Sequence, residues 1–202
     1  MQVLATNIDW SKVDPIAVQE IINFKKGAGI NFLKFLNNGG MMADPYDDPY
    51  VLQKVKSDGT TGSEWITRLQ KASNLTHYAA NFLSEITVTM GKIYKPVVIY
   101  GWEFEDGKRT TENVRQKAKE WGYQTPPAEL APILRENISD TLIADMGLWS
   151  LIIMHDPFVD SIDRPRLFEL NRADKETLSE NIIFSSTYHP RRVGFVFLAS
   201  QE

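Results

Sequence analysis

Apolar positions recur at helical spacing over residues 63–90, and this is the strongest pattern in the chain. Residues three, four or seven positions apart fall on one face of an α-helix. Ser63 belongs to the residue types that cap helix N-termini, and Gly91 to the type that ends helices. The pattern therefore predicts one long helix over residues 63–90, with a bend near Asn74. Its apolar face comprises Ile66, Leu69, Ala72, Ala79, Phe82, Leu83, Ile86 and Met90.

Runs of β-branched and aromatic residues predict strands elsewhere in the chain. Residues 95–104, 166–171 and 192–198 each contain such a run, bounded by turn-forming residues. Residues 148–155, Leu-Trp-Ser-Leu-Ile-Ile-Met-His, form an apolar run that suits either a buried strand or a buried helical segment. The short length of this run favours a strand.

Capping and stop signals predict shorter helices around these strands. Such signals are an N-cap residue or an early proline at the start, and a glycine or a cationic last turn at the end. They predict helices near residues 14–27, 30–36, 111–121 and 126–134, and a short helix capped by Asp174 that runs through Glu180.

Helices thus dominate the first half of the predicted chain and strands the second. This order predicts an α+β fold in which a helix-rich N-terminal half packs on a largely antiparallel sheet from the C-terminal half. The length of 202 residues suits a single globular domain over residues 1–202. Residues 37–62, which hold Gly39-Gly40 and the repeated Asp-Pro-Tyr, form a predicted loop-rich excursion from that domain.

Composition narrows the classes of function. A hydrophobic content of 43% and a charged content of 24% are typical of soluble proteins. The net charge of -4 disfavours nucleic-acid binding, and the absence of cysteine excludes disulfides, thiolate-bound zinc and cysteine nucleophiles. Neither a secretory signal nor a membrane span is recognisable, which favours a cytoplasmic location with no membrane partner. Motifs for nucleotides and catalytic metals are missing, so we expect no cofactor and no metal.

Two groups of residues carry candidate chemistry. His155 and Asp156 follow the apolar run at 148–155, where a base and the carboxylate that orients it would emerge at the end of a buried element. His189, Arg191 and Arg192 precede the last predicted strand, and guanidinium groups beside an imidazole suit the binding of a phosphate or carboxylate. Each group has a structural alternative, a hydrogen-bonded histidine and solvated arginines respectively.

Three classes of function remain open. A soluble cytoplasmic binding or interaction module that self-associates through aromatic surface is favoured, because the motifs of catalysis are missing. The second class is a hydrolase or transferase that acts on an anionic small molecule through His155 and Asp156. The third is an immunity or adaptor protein that masks a partner through acidic surface at Asp44, Asp47 and Asp48. The expected partners are therefore another protein, a second copy of this chain or an anionic small molecule.

Overall fold

A mixed β-sheet organises the part of the chain that the computed structural model describes, which comprises residues 50–72, 75–172 and 177–200. These residues belong to one compact unit, Asp48–Glu202. The helices predicted near residues 14–27 and 30–36, the acidic cluster at residues 44–48 and Asp174 lie outside the described residues. The prediction of a single domain over the whole chain stays a prediction.

Helices and strands alternate in short groups along the described chain. The helices are α1 (Gly62–Lys71), α2 (His77–Leu83), α3 (Thr111–Glu120), α4 (Leu130–Asn137) and α5 (Asp140–Asp145), and a 3-10 turn spans Gly101–Glu103. The strands are β1 (Tyr50–Val51), β2 (Val55–Asp58), β3 (Met90–Tyr94), β4 (Pro96–Tyr100), β5 (Ser150–Ile153), β6 (Phe158–Val159), β7 (Pro165–Asn171), β8 (Thr177–Ile182) and β9 (Val193–Leu198). Within these ranges, no helix combines the length and the apolar character needed to cross a membrane.

Seven strands form the main sheet in the order β1-β4-β9-β5-β7-β6, with β8 paired to β7. Strands β5 and β9 run parallel, and the other pairs of this sheet are antiparallel. Strands β2 and β3 form a separate antiparallel pair. The strand predictions for β4, β5, β7 and β9 are confirmed.

The predicted fold class, α+β with helices in the N-terminal half on a largely antiparallel C-terminal sheet, is wrong. Helices α3, α4 and α5 lie in the middle of the chain, while β1 and β4 from the first half belong to the same sheet as β9. That sheet is mixed, because β5 pairs in parallel with β9. Local patterns show which segments favour strands, but the pairing between distant segments depends on the packing of the whole domain.

The predicted long helix over residues 63–90 is two helices instead. Thr61 caps α1 in a reciprocal capping box with Glu64, and Thr76 caps α2 through the backbone N–H of Ala79. A Cβ on Gly62 would lie 1.9 Å from the carbonyl oxygen of Leu83, so only glycine lets the start of α1 approach the end of α2 this closely. The two N-caps, Thr61 and Thr76, therefore start two separate helices, although the apolar residues follow one continuous helical spacing.

Residues 177–180 also differ from prediction, because they belong to β8 and not to a helix. Strand β8 pairs with β7 over six residue pairs, from Thr177 opposite Asn171 to Ile182 opposite Arg166. The ladder of hydrogen bonds to β7 outweighs the local helix signal.

Both faces of the main sheet contribute to the core, and the described helices cover one of these faces only in part. Leu151, Phe168 and Leu178 are buried on the face that packs on α2 and α4. On the opposite face, α3 packs on β4, β9 and part of β5 and β7 through Val114 and Ala118. The remaining part of that face, at β5, β7 and β8, carries polar side chains and forms the candidate site.

Candidate ligand-binding site

A cavity of about 480 Å³ opens beside the part of the sheet that α3 leaves uncovered. This volume lies within the range of about 300–1,000 Å³ that is usual for small-molecule sites. Strands contribute Ser150, Ile152, Glu169, Asn171, Asn181 and Val193, and the chain around them contributes Trp149, Arg172, His189 and Pro190. The cavity therefore combines a polar floor with both signs of formal charge.

Strand register explains why the polar residues share one face. Ser150 lies opposite Asn171, and Ile152 lies opposite Glu169, in the antiparallel β5–β7 pair. Asn181 lies opposite Leu167 in the β7–β8 pair. Because side chains alternate between the faces of a strand, these positions all point to the same side of the sheet.

Glu169 is the acidic group of the cavity. Its Oε2 accepts a hydrogen bond from Asn181 Nδ2 at 3.2 Å, and its carboxylate is also hydrogen-bonded to the Ser150 hydroxyl. Burial raises the pKa of Glu169 above its ordinary value, and the nearby charge of Glu180 acts in the same direction. No ion pair links Glu169 to a cation within the described ranges. Glu169 is thus a partly buried carboxylate without a counter-ion.

Arg172 is the basic group of the cavity. Its backbone N–H donates to the carbonyl oxygen of Trp149 at 3.3 Å, which holds the residue at the end of β7 beside the start of β5. Its side-chain Nε is buried and has no hydrogen-bond partner among the described residues. A buried donor without an acceptor is costly, and the four N–H donors on the two terminal nitrogens of this guanidinium are the ones that suit an anion.

His189 closes one side of the cavity as a neutral group. Its Nε2 lies 2.9 Å from Thr111 Oγ1, and its ring packs edge-on against Phe195. Burial, together with the nearby charge of Arg109, lowers the pKa of His189 to about 4. Arg109 also fixes the backbone here, because its Nη1 donates to the carbonyl oxygen of His189 at 2.9 Å. His189 is therefore uncharged at neutral pH and shapes the wall.

Trp149 lies at the mouth of the cavity with 55% of its surface exposed. The Arg192 guanidinium lies 5.5 Å from the centroid of the Trp149 ring, and its Nε donates to the carbonyl oxygen of Gly147 at 3.0 Å. Arg192 thus supports the ring from outside the cavity. An exposed aromatic surface held in place beside a polar pocket suits the apolar part of a ligand.

The predicted base, His155, is buried away from this cavity. Its Nε2 accepts a hydrogen bond from the backbone N–H of Phe168 at 3.1 Å, and its Nδ1 lies 2.6 Å from the carbonyl oxygen of Asp156. Since Nε2 accepts, the ring proton is on Nδ1 and is donated to Asp156. Burial lowers the pKa of His155 to about 4. Both ring nitrogens already bond to the backbone, and the Asp156 residue is exposed to solvent.

The predicted anion-binding arginines lie at the other end of β5. The backbone N–H of Trp149 donates to the carbonyl oxygen of Arg192 at 2.7 Å, whereas His155 lies two residues beyond the last residue of β5. The chain from residue 149 to residue 155 spans about 20 Å if extended throughout. Arg191 is exposed, with its Nε 3.9 Å from a carboxylate oxygen of Asp106. The structure brings His189 into the cavity but does not bring His155 together with Arg191 or Arg192, and their catalytic and binding roles stay predictions.

Sequence reasoning missed most of the residues that line the cavity. The signal is polar alternation: Thr177, Ser179 and Asn181 occupy every second position of β8, and Glu169 and Asn171 do so in β7. This pattern is visible only when both segments are interpreted as strands, and the helix predicted for residues 177–180 concealed it.

In the described parts of the chain, no group of three or more histidines and carboxylates is placed to hold a metal ion. No protein-family model, no curated protein and no solved structure matches this chain. The cavity is therefore the feature from which a function can be inferred.

Proposed function

We propose that the protein is a binding module that holds a small molecule with an acidic group in the cavity beside β5, β7 and β8. The observation that carries the proposal is Arg172, which lines the cavity, forms no ion pair within the described ranges and has a buried Nε without an acceptor. A guanidinium can hold a carboxylate or phosphate through two parallel charge-assisted hydrogen bonds, and the donors on its two terminal nitrogens are the ones assigned to the ligand here.

The other walls of the cavity suit an organic acid better than a bare ion. Trp149 and Pro190 add apolar surface around the polar floor. Hydrogen bonds to a charged group contribute about 1.5–3 kcal/mol each, while burial of a ring against Trp149 adds to that through apolar contact. An acid with an apolar or aromatic body uses both parts of the site.

Binding is preferred over acid–base catalysis by His155. A general base must have a free lone pair within reach of its substrate, whereas Nε2 of His155 is occupied by the N–H of Phe168. Self-association and the masking of a partner through acidic residues 44–48 stay predictions. We retain the cytoplasmic location as part of the proposal, supported by a chain that needs no disulfide; cell fractionation tests it.

The test is a titration of the full chain with 3-phenylpropionate, followed through the indole N–H signals in ¹⁵N–¹H NMR spectra. We expect the Trp149 signal, identified by a Trp149→Phe variant, to shift in a saturable way. The Arg172→Gln variant should weaken binding at least tenfold. Arg191→Gln is the matched control, because Arg191 does not line the cavity. Unaltered binding by Arg172→Gln, or loss of binding by Arg191→Gln instead, would overturn the proposal.

A further inference from the structure

Two opposite charges line the same cavity and do not pair with each other. Neither Arg172 nor Glu169 forms an ion pair within the described ranges, although both residues line the same cavity. Their α-carbons are separated by three residues, which limits the distance between them to about 11 Å. The fold therefore places two opposite charges at one cavity without pairing them, which leaves each able to bind a third group.

We infer that the ligand is a zwitterion of the α-amino-acid type, whose carboxylate binds to Arg172 and whose ammonium group binds to Glu169. The inference rests on the proposed function and names the class of ligand. An α-amino acid carries both charges on one carbon atom and is therefore compact enough to bridge two side chains of a small cavity.

Glu169 has the hydrogen-bonding capacity that this role needs. An ionised carboxylate offers about four lone-pair sites, and Asn181 and Ser150 use two of them. An ammonium group supplies three donors and a positive charge. Because burial disfavours the ionised form of Glu169 and raises its pKa, a bound cation would compensate for a cost that the unliganded protein carries.

The mouth of the cavity specifies the side chain of the ligand. Trp149 and Pro190 present ring surfaces there, and Ile152 and Val193 add apolar wall. A charged side chain would find no additional counter-ion among the described residues that line the cavity, where Arg172 and Glu169 are the formally charged groups at neutral pH. The geometry therefore favours an amino acid with an aromatic or aliphatic side chain.

Three matched probes separate the two charges by isothermal titration calorimetry with the full chain. L-phenylalanine carries both groups, 3-phenylpropionate lacks the amino group, and phenethylamine lacks the carboxylate. We expect L-phenylalanine to bind at least tenfold more tightly than either of the others, because only the zwitterion makes a charge-assisted hydrogen bond at both ends.

Two substitutions assign each end of the ligand. Glu169→Gln should lower the affinity for L-phenylalanine to that for 3-phenylpropionate and leave the affinity for 3-phenylpropionate unchanged. Arg172→Gln should weaken both ligands that carry a carboxylate. Glu120→Gln and Arg191→Gln, which alter charge outside the cavity, are the matched controls and should bind like the parent chain.

The outcomes distinguish the inference from the proposed function. If 3-phenylpropionate binds as tightly as L-phenylalanine, the inference that the ligand is a zwitterion is wrong, while the proposed binding of an acid stands. If phenethylamine binds as tightly as L-phenylalanine, or if none of the three probes binds, the inference and the proposed function are both wrong. Should Glu169→Gln fail to fold, the comparison of probes on the unsubstituted protein still decides.

Discussion

Two carboxylates removed from bulk water, Glu129 and Glu169, have opposite environments in this fold. Glu129 directly precedes α4 and receives hydrogen bonds from the Thr89 backbone N–H at 3.0 Å, from the Thr89 hydroxyl at 2.6 Å and from the Tyr94 hydroxyl. The Ser57 hydroxyl lies 3.0 Å from Oε2 of Glu129 and 2.5 Å from the carbonyl oxygen of Thr89. The single proton of this hydroxyl is therefore shared between the two acceptors. Among the described residues, the Glu169 carboxylate is hydrogen-bonded to Asn181 and Ser150 alone.

The two environments shift the pKa values of Glu129 and Glu169 in opposite directions. Burial opposes the ionisation of Glu129, but the hydrogen bonds from Thr89, Tyr94 and Ser57 outweigh it and lower its pKa. Burial is not outweighed at Glu169, and its pKa is raised. A buried carboxylate that is saturated with donors from its own fold is structural, because nothing is left for a ligand to supply. A buried carboxylate that is short of donors and faces a cavity is a candidate binding group.

The largest expected effect is the loss of stability in Glu129→Ala. This substitution leaves the Tyr94 hydroxyl and the Thr89 donors without their acceptor, and each unsatisfied buried group costs about 1–3 kcal/mol. We expect the free energy of unfolding in urea to fall by about 3 kcal/mol or more. Glu136→Ala is the control, since Glu136 is exposed on α4 and forms a 3.7 Å ion pair with Arg68, and such pairs contribute about 0–1 kcal/mol. Similar losses in both variants would contradict a structural role specific to Glu129.

The next effect is the pH dependence of the Glu129 contribution. Since the pKa of Glu129 is lowered on folding, its ionised form stabilises the protein above the unfolded pKa of about 4.3. That stabilisation disappears as the pH falls through the folded pKa. The stability difference between the parent chain and Glu129→Gln should therefore be largest at neutral pH and shrink below about pH 4. A difference that stays constant from pH 7 to pH 3 in urea unfolding would show that the ionised form contributes nothing.

The same contrast explains what the sequence revealed and what it did not. Dense β-branched runs identify β4 and β9, and Thr110 with Gly122 brackets α3, because these signals act within a few residues. The pairing of β5 with β9 and the position of Glu169 on the part of the sheet that α3 does not cover depend on contacts across the whole domain. No local pattern carries that information, so the fold class and the cavity were missed.

Glu129 shows a second limit of reasoning from sequence. Its partners come from β2, from the residue before β3 and from β3, at separations of 35 to 72 residues. Nothing in the sequence around residue 129 marks this carboxylate as buried. Ser57 and Thr89 are equally ordinary in their local contexts. Networks of this kind become visible only when the chain is folded.

A smaller effect is expected for Glu169→Gln in the absence of ligand. The pKa of Glu169 is raised on folding, so its ionised form is the less stable one in the folded state, and stability falls as the pH rises from the unfolded towards the folded pKa. A neutral amide avoids that cost. We expect the stability at pH 7 to be unchanged or to rise by up to about 1 kcal/mol. A loss as large as that of Glu129→Ala would make Glu169 a structural residue and would end the contrast between the two carboxylates.

The smallest effect tests the contrast at the level of a single hydrogen bond. Asn181 Nδ2 donates to Glu169, and this bond favours the ionised carboxylate. Asn181→Ala removes the donor and should therefore raise the pKa of Glu169 further, with little change in stability because Asn181 is exposed. Carboxyl ¹³C NMR titration measures this shift, and Glu129, which does not contact Asn181, serves as the internal reference. If the pKa of Glu169 does not change, water has already replaced the Asn181 donor in solution. The Glu169 carboxylate would then have more lone pairs available for an ammonium group than it has while it accepts hydrogen bonds from both Asn181 and Ser150.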